Sequence, residues 1–191
     1  GIDFDASGDV SLGSLNAAGG SLTVDAGGGI AFASAISSAD IDLTAGDLVM
    51  GGDLDAANAL NIDGDNIIID TARASSVNLV SAEHIQFDVN ASPNAVTLTA
   101  RNGTIANNLT GGAGDITSGD AILLNAETIR VGAVNADNGI NLSSASLISF
   151  GSANTTSGAI VMNAGTNIIG GTLSTAAIDD INLIATLAVN V

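Results

Sequence analysis

The sequence predicts an all-β fold: a right-handed parallel β-helix of about ten coils, each about 20 residues long with three short strands. Three observations lead there. A phrase of the form apolar–x–apolar–x–alanine recurs at a near-constant period. Each recurrence is followed by a second and then a third apolar spot. The composition is aliphatic, with 46% hydrophobic but only 2% aromatic residues and neither Trp nor Tyr, so any core must be built from Ile, Leu, Val and Ala.

The first phrase begins at Ile2, Leu22, Ile41, Leu60, Val77, Val96, Ile122, Ile140, Ile160 and Ile181. Its second apolar residue is Phe4, Val24, Leu43, Ile62, Leu79, Leu98, Leu124, Leu142, Met162 or Leu183. Period-two alternation puts one face inward and one outward, as in a strand; a helix needs a 3.6-residue period. An alanine follows at Ala6, Ala26, Ala45, Ala100, Ala126, Ala164 and Ala185, where a small side chain suits a tight corner. The spacing stretches once, from Val96 to Ile122. That stretch contains TGGAGDITSG, which reads as a loop insertion at 110–119 in a single 1–191 solenoid segment.

The second phrase reads Val10/Leu12, Ile30/Phe32, Leu48/Met50, Ile67/Ile69, Ile85/Phe87, Ile129/Val131 and Ile148/Phe150. Phe32, Phe87 and Phe150 share one inner column and are expected in the core. The third spot falls near Leu15, Leu54, Val89, Leu109, Val134 and Leu173. Three strands of this length cannot bury themselves alone. Stacked coil on coil at about 4.8 Å, their apolar columns merge into one core and a rod about 45–50 Å long. Handedness follows the usual preference of parallel crossovers. An antiparallel sandwich also has short strands at regular spacing, but it does not explain a three-phrase period running from Ile2 to Val189.

Phrases such as AVTLTARNGTI, GINLSSASL and AIVMNAGTNI resemble the repeats of filamentous haemagglutinin-like proteins, large secreted adhesins and exoproteins of Gram-negative bacteria exported by two-partner secretion. The resemblance covers nearly the whole chain. It implies a right-handed β-helix, a cell-surface or secreted location, and a role in adhesion, biofilm or contact-dependent competition. In that family the repeats usually form a stalk, and the resemblance carries over no functional residue.

Charge narrows the partners. Twenty acidic residues against three Arg and no Lys give a net charge of −17, which repels phosphate backbones and anionic membranes. No nucleic acid and no membrane insertion are expected. There is no Cys, so disulfides and thiolate metal sites are excluded. No apolar run is long enough for a transmembrane helix. The chain starts at Gly1 without a signal-peptide pattern, which reads as a processed product or an internal fragment.

The acids suggest two chemistries. Asp47, Asp63 and Asp65, near one corner on successive coils, are candidate calcium ligands, since hard cations take carboxylate and carbonyl oxygens. Calcium is the cofactor such a site would take, and the fold requires none. Carboxylate pairs such as Asp3/Asp5, Asp53/Asp55 and Asp179/Asp180 would suit a glycosidase. A polysaccharide enzyme would add aromatic platforms or basic groups; this chain has no Trp or Tyr and only Arg73, Arg101 and Arg130 as basic side chains, so no enzymatic activity is expected. His84 stands alone beside Glu83 and reads as a surface turn residue. Arg101, with Glu83 before and Glu127 after it, suggests a stacked acid–Arg–acid ladder. Arg130 should project outward. The outward column Thr23, Asn61, Thr97, Asn141 and Asn182 would resemble an ice-binding ladder were it not interrupted by Asp42, Leu123 and Val161.

The expected function is thus a structural and adhesive rod module of a bacterial surface or secreted protein, extracellular or at the cell surface. Its expected partners are adjoining coils or other copies of itself end to end, and cell-surface glycans or proteins. One alternative is a subunit of a self-assembling extracellular filament or sheath. A carbohydrate-active β-helix enzyme is the other.

Overall fold

The computed structural model describes residues 1–107, 114–176 and 179–191. It is a parallel β-solenoid of about nine turns, with no helix among the described residues. Every strand pair is parallel, and each strand between the two outermost coils is flanked by its counterparts one coil before and one coil after.

Three walls follow from the three phrases. The first wall holds all ten expected phrases in register, from Ile2↔Leu22 and Phe4↔Val24 to Ile160↔Ile181 and Met162↔Leu183. The second wall stacks Val10, Ile30, Val49, Ile67, Ile85, Ile105, Ile129, Ile148 and Ile168. The third runs Leu15, Ala35, Leu54 and Ala72, then Ile116, Val134, Ala153 and Leu173. In the middle of the rod, Ala59–Arg73, Ser76–Ser92 and Ala121–Ala136 are single strands that bend through all three walls. The inward columns join into one core from Val10 to Ile168, with most side chains almost fully buried. Buried aliphatic surface of this kind is the main favourable contribution to folding.

Two expected placements are corrected. In the second phrase of the third coil, Leu48 and Met50 do not face inward; Val49 and Gly51 do, paired with Ile30 and Phe32. Met50 is exposed. The reason is volume. A Cβ on Gly51 would lie 2.1 Å from the Phe32 ring, so that ring already fills the place of the next coil's side chain. Phe150 fills the space above Gly170 in the same way, at 2.2 Å. In the third phrase, Asn90 rather than Val89 takes the register position between Ala72 and Ile116. Leu109 lies outside the described residues.

Of the insertion expected at 110–119, residues 110–113 lie outside the described residues, and the C-terminal part is not a loop. Asp115–Ser118 is a strand of the third wall, paired with both neighbouring coils. Its Ile116 occupies the inward column and is fully buried.

The corners use small residues, and five serines there share one geometry. Ser37, Ser81, Ser92, Ser118 and Ser144 are all buried. Each hydroxyl donates to a carbonyl of the preceding coil and accepts the N–H two residues on. Ser81 Oγ lies 2.6 Å from the Asp65 carbonyl and 3.1 Å from Glu83 N; Ser144 Oγ lies 2.6 Å from the Glu127 carbonyl and 3.2 Å from Ser146 N. A turning chain leaves backbone groups without ladder partners, and these hydroxyls satisfy them. Gly158, at φ 81°, sits at a corner where conformation selects glycine, as do Gly20 at φ 149° and Gly114 at φ 60°; a Cβ on Gly158 would also overlap the Asn138 carbonyl oxygen.

Candidate functional site

With the inward residues committed to the core, chemistry is left to the outward columns and the corners. The first wall's outer face changes character along the rod. Its first four coils carry Asp3, Asp5, Asp25, Asp42 and Asp63, interleaved with Thr23, Thr44 and Asn61. From the fifth coil on, the same two columns hold Asn78, Thr97, Thr99, Asn125, Asn141, Ser143, Asn163 and Asn182, with Val80, Leu123, Val161 and Ile184 among them.

The calcium candidates are only partly brought together. Asp65 N–H donates to the Asp47 carbonyl at 2.8 Å, so these two share a corner on successive coils. Asp63 instead lies on the outer face of the first wall, in register with Thr44 and Val80. Among the described residues no group of three or more His, Asp or Glu could hold a metal ion.

Many acids instead accept hydrogen bonds from the neighbouring coil. Asp9 Oδ1 accepts Gly29 N–H at 2.8 Å, Asp40 Oδ1 accepts Ala59 N–H at 3.0 Å, and Asp115 Oδ1 accepts Ala133 N–H at 2.7 Å. Asp179 Oδ2 takes Gly158 N–H at 2.9 Å, and Asn61 Nδ2 donates to Asp42 Oδ1 at 2.7 Å. Hydrogen bonds to a charged acceptor are stronger than neutral ones. These carboxylates therefore tie coil to coil, Asp42 directly across the first-wall ladder from Asn61.

His84 is exposed, as expected, but it lies within the Ser76–Ser92 strand and not in a turn, and it has a definite partner: its Nδ1 accepts Thr104 N–H at 3.0 Å. The acid–Arg–acid ladder does not form. Glu83 accepts from Asn66 Nδ2 at 3.3 Å, and no ion pair joins Arg101 to Glu83 or Glu127. Arg101 and Glu127 do line a common open hollow of about 510 Å³. Arg130 projects outward from the second wall, exposed between the buried Ile129 and Val131.

A second hollow, of about 420 Å³, opens at the corner between the third and first walls and is lined by Asp55, Arg73, Ser75, Pro93 and Thr117. Each of these two hollows carries a single carboxylate. Two smaller ones carry two: Asp42 with Asp63, and Asp9 with Asp47. Asp42 and Asp9 are there already engaged by Asn61 and the Gly29 N–H. A glycosidase needs its two carboxyls free on either side of a bond.

The corner serines were not singled out by their sequence. Their signal is serine in the alanine column, visible only once the coils are aligned.

The chain matches no protein-family model, no curated protein and no solved structure. The likeness to filamentous haemagglutinin-like repeats therefore rests on the repeat phrases alone.

Proposed function

We propose that this chain is a structural and adhesive rod module of an extracellular or cell-surface bacterial protein. The observation that carries the reading is the unbroken register of ten first-wall strands around one continuous core. Such a body is quasi-one-dimensional: it holds length and presents flat walls, while each coil depends only on its neighbours. The uncharged part of the first wall, from Asn78 to Asn182, supports the adhesive half of the proposal. Its amides and hydroxyls are the groups that exchange hydrogen bonds with the hydroxyls of neutral cell-surface glycans.

Stacking end to end is a second reading, supported by the outermost coils. Phe4, Ile181 and Val189 stand in inward columns yet are 37%, 44% and 45% exposed. Another coil in register, from adjoining polypeptide or from another copy, would cover them and pair the open strand edge.

Negative-stain electron microscopy of the purified chain, with calcium and with a chelator, tests both readings. Separate short rods in both conditions are expected for a stalk segment, and ordered fibres for a filament subunit. Globular particles would overturn both. Binding to a panel of neutral glycans, lost when Asn125 and Asn141 are changed together to Asp, tests the adhesive face. No binding to any glycan or cell surface would remove it.

A further inference from the structure

The chain contains Asn–Gly twice among the described residues, at Asn102–Gly103 and Asn138–Gly139, and the fold treats the two differently. Asn–Gly is chemically special. Glycine has no side chain to hinder its backbone nitrogen from reaching the side-chain carbonyl carbon of the preceding Asn. Both asparagines are exposed, so exposure does not separate them. Restraint does.

Asn138 is held at both ends of its amide. Its Nδ2 donates to Asp120 Oδ1 at 2.5 Å, and its Oδ1 accepts from Ser157 Oγ at 3.1 Å. Its backbone N–H donates to the Asp120 carbonyl at 3.1 Å, and Gly139 stands in register with Ala121. Turning that amide toward the Gly139 nitrogen breaks both side-chain bonds.

Asn102 has no such hold: its side chain hydrogen-bonds to no described residue. It lies where the register shifts. Ala100 pairs with Ala126 and Thr104 with Thr128, so Arg101, Asn102 and Gly103 together face Glu127 alone. Gly103 cannot be exchanged for a slower partner, because a Cβ there would lie 2.2 Å from the Glu83 carbonyl oxygen and 2.8 Å from His84 Nδ1. The close packing that demands glycine at 103 thus fixes the reactive dipeptide in place.

We propose that Asn102 is a site of spontaneous, enzyme-free deamidation in the folded rod, and that Asn138 is protected by the coils on either side of it. The Gly103 backbone nitrogen attacks Asn102 Cγ. The N–Cγ bond forms, the Cγ–Nδ2 bond breaks, and ammonia leaves with the proton from the Gly103 amide. Water then opens the cyclic imide, giving aspartate or isoaspartate and one added negative charge. Isoaspartate also inserts a methylene into the backbone at a corner where the register is already shifted.

The folded full-length chain is incubated in mildly alkaline buffer and mapped by peptide mass spectrometry, with isoaspartate scored by enzymatic methyl transfer. Asn102 should convert about tenfold faster than Asn138 or more, the separation expected when hydrogen bonds must be broken first. In concentrated urea the two sites should convert at similar rates. Asp120→Ala, checked for retained β circular dichroism, should raise the rate at Asn138 in the folded chain. Asn102→Gln should abolish the early acidic shift in isoelectric focusing. Equal conversion of the two sites in the folded chain, no conversion at Asn102 there, or an unchanged Asn138 rate in a folded Asp120→Ala variant would each overturn the proposal.

Discussion

The first and second walls solve the same packing problem in different ways. In the first wall every inward residue of the principal columns is a whole hydrophobic side chain stacked on its like, coil after coil. In the second wall volume is shared between coils: Phe32 and Phe150 each occupy the space that Gly51 and Gly170 leave empty. A column can therefore be filled residue by residue or filled jointly. Only the first kind leaves a simple trace in the sequence.

The largest effects should come from breaking the first kind. Leu98 is fully buried between Leu79 and Leu124. Leu98→Ala should cost about 3–4 kcal/mol, since its neighbours cannot spread to fill the void. Urea unfolding followed by far-ultraviolet circular dichroism gives the number, and a cost near zero would mean that the columns are not tightly packed.

Joint filling makes a different demand. Gly51→Val alone should cost about 2–3 kcal/mol by overpacking against the Phe32 ring. Combined with Phe32→Ala, the same change should cost well under the sum of the two single variants. A double-mutant cycle reads that coupling directly. Additive costs would show that the ring does not fill the space of Gly51.

A smaller effect is expected at the corner that joins the two walls. Ser81→Ala leaves the Asp65 carbonyl and the Glu83 N–H without the hydroxyl and should cost about 1–2 kcal/mol. Ser144→Ala, with the same geometry, should cost a similar amount.

Outward charge should matter least. Asp25 stands in register between Asp5 and Thr44 on the acidic part of the first wall. Asp25→Asn should stabilise the rod by up to about 0.5 kcal/mol at low salt, and the gain should vanish near 1 M salt, where such repulsion is screened. A gain that persisted at high salt would point to hydrogen bonding instead of charge.

The same contrast explains what the sequence disclosed. The first wall was legible in full because its alternation is strict and its inward residues are large. The second wall was misphased at Leu48-Val49-Met50, where three apolar residues in a row hide the alternation and the true inward partner is a glycine. In the third wall the large members Leu15, Leu54, Val134 and Leu173 were legible. The intervening Ala35, Ala72 and Ala153 were not, because alanine is a weak apolar signal. The candidate site was less legible still. Asp47, Asp63 and Asp65 looked like a ligand set because carboxylates in sequence do not show what they accept from. Asp9, Asp40 and Asp115 turn out to receive backbone N–H groups a full coil away, a relation visible only after the coils are stacked.

The parallel pairing has a mechanical consequence. Strands run around the rod, so their hydrogen bonds point along its long axis. Tension applied end to end loads those bonds head-on, one coil boundary at a time, instead of shearing a whole sheet at once. A coil that lets go exchanges about 4.8 Å of rise for roughly 65 Å of extended chain. Its neighbours, held by their own contacts, keep their shape. Under a sudden pull such a rod lengthens in steps and takes up the shock without parting.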